Sequence, residues 1–468
     1  MDAAQIAGLA PALDRYLVHF DDCFGRSEPV AHLRTYLKGQ LSDLPRKSIE
    51  PIALAAGTPP RTLQQFLSDA NWDQNQMRCK VQGLIAREHA HPHAVASFDE
   101  TTFVKKGNKT PGVLLWFRHG WASGKIDNCA ASVHLAYATP DGFIAQLDAE
   151  LFLPEDWAAD RDRCRAAGIP DRVGYRPKWK IGLGLHERAI ANGVALPWVT
   201  FDEGYGLIPA FCHTLDDRGQ RYVGEVPSNF VGWCKPPAVR PAGSRRRGVR
   251  KGPRSKVPRV SADAAVSRVD DLCRYSPAFT GQKWVRFHVK DTTKGPSVWE
   301  VKAAGFHLKR DGTPTRAHWL IIARNVLNPA EVKYFISNAP AGTPLEMLLH
   351  VAFNRWTVER CFEDQKTELG MDHFEVRTFK SLERHLAITA VTLLFLARTR
   401  LQLRGEKPRG VGGPDRVPGP HGGQRDDRHV VAGTDQQSRA IGANGRNAGI
   451  HTTSKRLGGE MPPARDVA

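Results

Sequence analysis

Residues 178–206, KWKIGLGLHERAIANGVALPWVTFDEGYG, change period within one stretch. From Lys178 the apolar residues recur at three and four spacing, which predicts a helix that Gly193 is placed to end. From Leu196 the run LPWVTF is short, apolar and rich in β-branched and aromatic residues, which predicts a strand, and it closes on the acid Asp202. Upstream, AVASFDE is a second strand-like run closing on Asp99. Between them lie Leu114 to Phe117 and AASVHLAYATPDGFIAQLDAELFLP, a hairpin about Thr139-Pro140-Asp141-Gly142. Strand, strand, strand, helix, strand is the order of a mixed sheet with flanking helices, so the core reads as α/β with both aspartates near strand ends. The GLG within the helix is no phosphate loop, because it does not follow a strand and lacks the remaining glycine.

The flanking sequence divides the chain further. Residues 1–88 carry helical spacing in DRYLVHFDDCF, VAHLRTYLKGQL and RTLQQFLSDANWD, and read as a small helical N-terminal domain. Residues 89–230 form the first part of the core. After EVPSNFVGW, within 231–340, comes KPPAVRPAGSRRRGVRKGPRSKVPRV, with ten Lys or Arg residues and no acid. Its Arg245, Arg246, Arg247, Arg250 and Lys251 are candidate phosphate contacts, with Lys105 and Lys106 beside the first acidic strand, although a solvated arm is the plainer reading. Strand character returns in KWVRFHVKDT, SVWEVKAAGFHLK, AHWLIIARN and KYFISN, a β-rich insertion whose Trp284, Trp299 and Trp319 fit half-buried strands better than base stacking. Residues 341–403 return to helix. From 404 to 468 glycine, proline, arginine and aspartate dominate and no aromatic residue follows Phe395, so this tail reads as disordered or as a gene translated out of frame.

With 468 residues and 41% hydrophobic content the chain can bury a large core. The net charge of +17 and a pI of about 9.7 point to a polyanionic partner, most simply double-stranded DNA. No apolar run reaches membrane-spanning length by this reading, and the N-terminus is acidic where a signal peptide is basic, so a cytoplasmic, nucleoid-associated protein is expected. The eight cysteines are scattered without a CxxC pair, which suits reduced thiols. His89, His91 and His93 read as a polar loop rather than a metal site.

Residues 349–370, LHVAFNRWTVERCFEDQKTELG, read as a helix on which Arg355, Glu359 and Lys366 share one face, a carboxylate between two cations. Taken alone this is a wet surface. Beside Asp99 and Asp202, however, a third carboxylate allows two divalent cations, Mg²⁺ or Mn²⁺, to be held in one site, with Arg355 and Lys366 on phosphate. Glu100, Glu203 and Glu363 compete for the acidic roles on spacing alone.

The blocks SFDETTFVKKGNKTPGV, ELFLPEDWAADRDRCRAAGIP, WVTFDEGYG, YFISNAPAGTPL and NRWTVERCFEDQKTELGMDHFEVRTF, in this order between Phe66 and Leu403, resemble those of the IS701-type insertion-sequence transposases, related to the IS4 family. The resemblance implies an RNase H-like catalytic domain interrupted by a β-strand insertion, with a triad of Asp99, Asp202 and Glu359. It also implies metal-dependent cutting and joining of DNA by a dimer in a synaptic complex. Arg355, Glu359 and Lys366 match the Arg, Glu and Lys of the signature in the IS4 group, which selects Glu359 over Glu363. Ala352 stands at its tyrosine position, which leaves open whether a DNA hairpin intermediate is formed. An RNase H-like host nuclease and a non-catalytic DNA-binding relic are the alternative functions.

Overall fold

The structure is a computed structural model and describes residues 3–117, 126–244, 255–261, 264–292 and 295–405. The basic residues Arg245, Arg246, Arg247, Arg250 and Lys251, and the tail from residue 406, lie outside the described residues.

The acidic strands form as their composition dictates. β1 (Val95–Val104) pairs antiparallel with β3 (Ile126–Ala138), whose far edge is shared by β2 (Leu114–Phe117) and β4 (Ile144–Leu151). On its other side β1 pairs in parallel with β5 (Trp198–Phe201), and β5 in parallel with β6 (Tyr222–Val226). Val95–Phe98 and all of β5 are buried, as expected of central strands covered on both faces. The β3–β4 turn closes through Thr139, whose amide donates to Phe143 and whose carbonyl accepts from Gly142.

The strands of the predicted insertion join this same sheet. β7 (Val285–Thr292), β8 (Gly295–Arg310), β9 (Thr313–Asn325) and β10 (Val332–Ser337) form an antiparallel meander, and β10 pairs antiparallel with β6. The ten-stranded order is β7-β8-β9-β10-β6-β5-β1-β3-β2, with β4 also on β3. This large mixed α/β sheet is consistent with an RNase H-like fold. The β8–β9 connection is the two-residue loop Asp311-Gly312, with φ of 50° and 80°, the mirror-image turn that suits the twist of a hairpin. Trp299 is buried, Trp319 donates to the Pro340 carbonyl, and Trp284 lies under Arg324 and Lys302, so the three belong to packing.

The N-terminal helices α1 (Ala3–Leu17), α2 (Ser27–Leu41), α3 (Ile49–Ala55), α4 (Pro60–Ser68) and α5 (Gln74–Glu88) share one apolar core with the sheet. α6 (Lys178–Ala191) precedes β5, and Gly193 follows its cap Asn192. α7 (Pro209–Asp217) joins β5 to β6.

α8 (Leu345–Phe353) and α9 (Trp356–Glu363) lead to α10 (Phe379–Gly405), which packs on α2, α4, α5 and β4. Polar groups along α10 fix it in place. Arg384, with no exposed surface, donates to the carbonyls of Phe66, Leu67, Ala70 and Trp72, satisfying the C-terminal end of α4, while its guanidinium lies 4.3 Å from the Trp72 ring. Glu383 pairs with Arg78 of α5 and accepts from the amide of Leu151 on β4. By length and composition Phe379–Arg404 could cross a membrane, contrary to the sequence reading, but 61% of its apolar window is buried inside the protein.

Candidate active site

The parallel register of β1 and β5 sets Phe98 opposite Phe201, so the next residues, Asp99 and Asp202, stand abreast on neighbouring strands. Asp99 still belongs to β1, and its Oδ1 accepts from the amide of Glu100 at 2.7 Å. Asp202 leaves β5 and caps the short turn Glu203–Gly206, accepting from the Tyr205 amide at 3.2 Å. Gly206 presses on β6 so closely that a Cβ there would stand 1.9 Å from the Glu225 carbonyl oxygen, so only glycine lets the turn seat and hold Asp202.

The helix carrying Glu359 differs from the continuous helix read in the sequence. α8 ends at Phe353, and the Thr357 hydroxyl donates to the Asn354 carbonyl, a local side-chain bond that competes with the helical ladder. Arg355 stands at the N-cap of α9, and residues Asp364–Glu368 form a π turn. The wider turn shifts its residues from the α-helical phase, and Lys366 within it donates to the Thr102 carbonyl of β1 at 3.1 Å. Arg355 and Glu359 do meet. The guanidinium binds Glu359 Oε1 at 2.5 Å and reaches Asp99 Oδ2 at 3.5 Å, tying the helix acid to the strand acid.

Two of the three rival acids are engaged elsewhere. Glu100 points to the opposite face of β1 and pairs with Lys178 of α6, and Glu363 pairs with Arg360. Glu203 is exposed. Of the two cations beside β1, Lys105 is held by the Asp372 and Phe374 carbonyls and lies 3.3 Å from the Phe374 ring centroid, and burial pushes its amine down to about 8. Lys106 is exposed. Ala352, at the signature's tyrosine position, is buried in the apolar layer with Trp198 and Phe335. The side chain of His89 stacks on Phe143.

The two aspartates crowd one another electrostatically. Burial, and then the Asp202 carboxylate, push the Asp99 carboxyl from 3.8 up to about 7. Burial disfavours the Arg355 cation, and Glu359 and Asp99 outweigh it, so the guanidinium is held above its ordinary range. Among the described residues no three His, Cys, Asp or Glu groups already stand at metal-ligand spacing. Asp99, Asp202 and Glu359 each carry oxygen donors of the kind that suits a hard divalent cation, and Arg355 supplies positive charge between Asp99 and Glu359.

Two carboxylates thus stand abreast on parallel strands, and a third is joined to Asp99 through Arg355 at the N-cap of α9. Residues 19–296, more than half of the chain, match the family model described as DDE superfamily endonuclease, and the chain belongs to that family. The matched span includes Asp99 and Asp202 and ends before Glu359. The chain is also 29% identical, over 193 residues, to a "Probable transposase for insertion sequence element IS701" of Microchaete diplosiphon, in keeping with the resemblance read from the sequence blocks. That match covers 41% of this chain and 47% of the relative, so it spans about half of that protein's length.

Proposed function

We propose that the protein is a DDE transposase that cuts the ends of an insertion sequence and joins them to target DNA. The pairing of Asp99 with Asp202, and of Asp99 with Glu359 through Arg355, carries this reading. Asp99, Asp202 and Glu359 would hold Mg²⁺ or Mn²⁺, two ions per site, which when bound supply an activated attacking oxygen and stabilise the leaving one. The protein's own part is positional. β1 and β5 fix the two aspartates at one level, and the Asp202 cap on the 203–206 turn sets that carboxylate's direction. Arg355 holds Glu359 close to the aspartates and, once divalent charge replaces it, is placed to bind a phosphate oxygen. Lys366 braces β1 behind Asp99 through the Thr102 carbonyl.

Phosphodiester exchange conserves bond energy, so no cofactor beyond the metals is required. Lys106 and the basic residues Arg245, Arg246, Arg247, Arg250 and Lys251 would follow the DNA backbone, and the N-terminal helices would read the element's ends. A homodimer in a synaptic complex would cut both ends in concert, in the bacterial cytoplasm. The test is incubation of the full chain with end-labelled duplexes carrying the element's terminal repeat. Nicking at the element boundary with Mg²⁺ or Mn²⁺, abolished by EDTA, is expected. Binding without nicking under either metal would overturn the enzymatic reading.

A further inference from the structure

Lysine is among the residues least often buried, yet Lys47, in the loop between α2 and α3, is only 7% exposed. Its Nζ donates to the Gln40 carbonyl at 2.9 Å and to the Glu368 carbonyl. Gln40 lies in the last turn of α2, and Glu368 ends the π turn that continues α9. One cation therefore serves the C-terminal ends of two helices, where carbonyls lack intrahelical partners and the helix dipoles favour positive charge.

The grip on the residues after the π turn is shared. The Lys47 amide donates to His373 Nδ1 at 3.0 Å. His385 of α10 donates through Nε2 to the Met371 carbonyl at 3.0 Å, which leaves Nδ1 to accept from the Tyr36 hydroxyl of α2 at 2.9 Å. Gly370, with φ of 67°, permits the close approach, because a Cβ there would stand 2.7 Å from the Lys47 Cβ. From the sheet, Lys105 of the β1 end holds the Asp372 and Phe374 carbonyls. The chain leaving α9 is thus clamped between the N-terminal helices and the strand that bears Asp99.

α9 spans eight residues, and Glu359 lies near its middle with 57% of its side chain exposed. At the front of the helix Arg355 ties Glu359 to Asp99, a link that bound divalent charge would replace. The rear anchor then sets where the carboxylate stands. We propose that Lys47 is a positioning residue for Glu359, holding the rear of its helix from the N-terminal domain so that the carboxylate meets a metal held by Asp99 and Asp202. The inference rests on the metal-dependent reading of the site. It joins the helices proposed to read the element's ends to the acid cluster through one side chain.

The test is calorimetric binding of Mn²⁺ to the full chain, read as the binding step that Asp99→Asn abolishes. Lys47→Met keeps an unbranched side chain and removes the cation, and should weaken that step about tenfold, as loss of a group behind a metal ligand does. Lys47→Arg should restore most of it. His373→Ala, where 30% of the side chain is exposed, should act in the same direction by a smaller factor, and it decides the question if Lys47→Met does not fold. Arg384→Met frees α4 from α10 without touching residues 368–375, so it should melt earlier yet bind Mn²⁺ like the wild type. On terminal-repeat duplexes the half-saturating Mn²⁺ for nicking by Lys47→Met should rise by the same factor, with DNA binding retained. Wild-type Mn²⁺ affinity in Lys47→Met, or in His373→Ala where the first does not fold, overturns the proposal and leaves the metal site standing. An equal loss in Arg384→Met does the same, because the effect would then be general loosening. If the wild type shows no Mn²⁺ step that Asp99→Asn abolishes, both readings fall.

Discussion

The substitution Asp99→Asn should make the metal-free protein more stable, and only at higher pH. The folded chain raises the Asp99 carboxyl from 3.8 to about 7, mainly through burial and then through Asp202, with the Glu100 amide and Arg355 acting in the opposite sense. A raised carboxyl means that the folded state binds the proton more tightly than the unfolded chain. Its contribution is therefore fully present below about pH 4, declines as the pH rises, and is lost above about pH 7. At about 1.36 kcal/mol per pH unit the displacement corresponds to ~4 kcal/mol at most. The side chain keeps 15% exposure and asparagine forfeits the ion pair with Arg355, so a net gain of ~2 kcal/mol is the reasonable expectation. Thermal melts of wild type and Asp99→Asn in EDTA, at about pH 5 and about pH 8, measure it. The difference should be small at the lower pH and a few degrees in favour of the variant at the higher one, and added Mn²⁺ should raise the wild type more than the variant. A variant less stable than wild type at the higher pH, or a difference that ignores pH, would refute the picture of two crowded carboxylates awaiting a cation.

Arg355 supplies charge where a metal is proposed to sit, and at 3.5 Å its bare attraction to Asp99 is several kcal/mol at an effective dielectric of about 20. Screening leaves ~1.4 kcal/mol, so Arg355→Gln should bind Mn²⁺ about tenfold more tightly by calorimetry, whereas weaker binding would mean that its hold on Glu359 outweighs its charge. Arg384→Met removes donors from four buried carbonyls and should cost ~3 kcal/mol, read as a lower urea midpoint, and an unchanged midpoint would mean that water takes over the cap. Lys105→Ala should lower stability and leave the salt dependence of DNA binding alone. Changing Arg245, Arg246, Arg247 and Arg250 together to alanine should flatten that dependence by about 0.9 for each phosphate no longer neutralised, and an unchanged slope would make the arm a plain linker.

Much of the site was legible because its signals are local. Asp99 and Asp202 each end an apolar run, and the helix before β5 carries its own stop at Gly193, so two strands and their order could be read from composition and period. Choosing Glu359 over Glu363 required the family resemblance, since both lie on the same short helix. The π turn at 364–368 was not legible, because sequence spacing assumes 3.6 residues per turn and no local pattern records the departure. The strands from 285 to 337 were recognisable as strands, but alternation says nothing about which neighbour a strand will pair with, so their addition to the β6 edge was invisible. Arg384 was hidden for a related reason. An arginine in an apolar helix has meaning only once the four carbonyls it reaches, more than three hundred residues upstream, are in place.

The central claim is that Asp99, Asp202 and Glu359 act as one metal-dependent site on DNA. The most direct measurement is the nicking rate on end-labelled terminal-repeat duplexes in Mn²⁺ for Asp99→Asn, Asp202→Asn and Glu359→Gln, with Glu363→Gln and Glu100→Gln alongside. The account predicts loss of nicking by at least about a hundredfold in each of the first three, with DNA binding retained, and near wild-type rates in the other two. Nicking that survives in any of the three, or that is lost in Glu363→Gln while Glu359→Gln cuts normally, would contradict it.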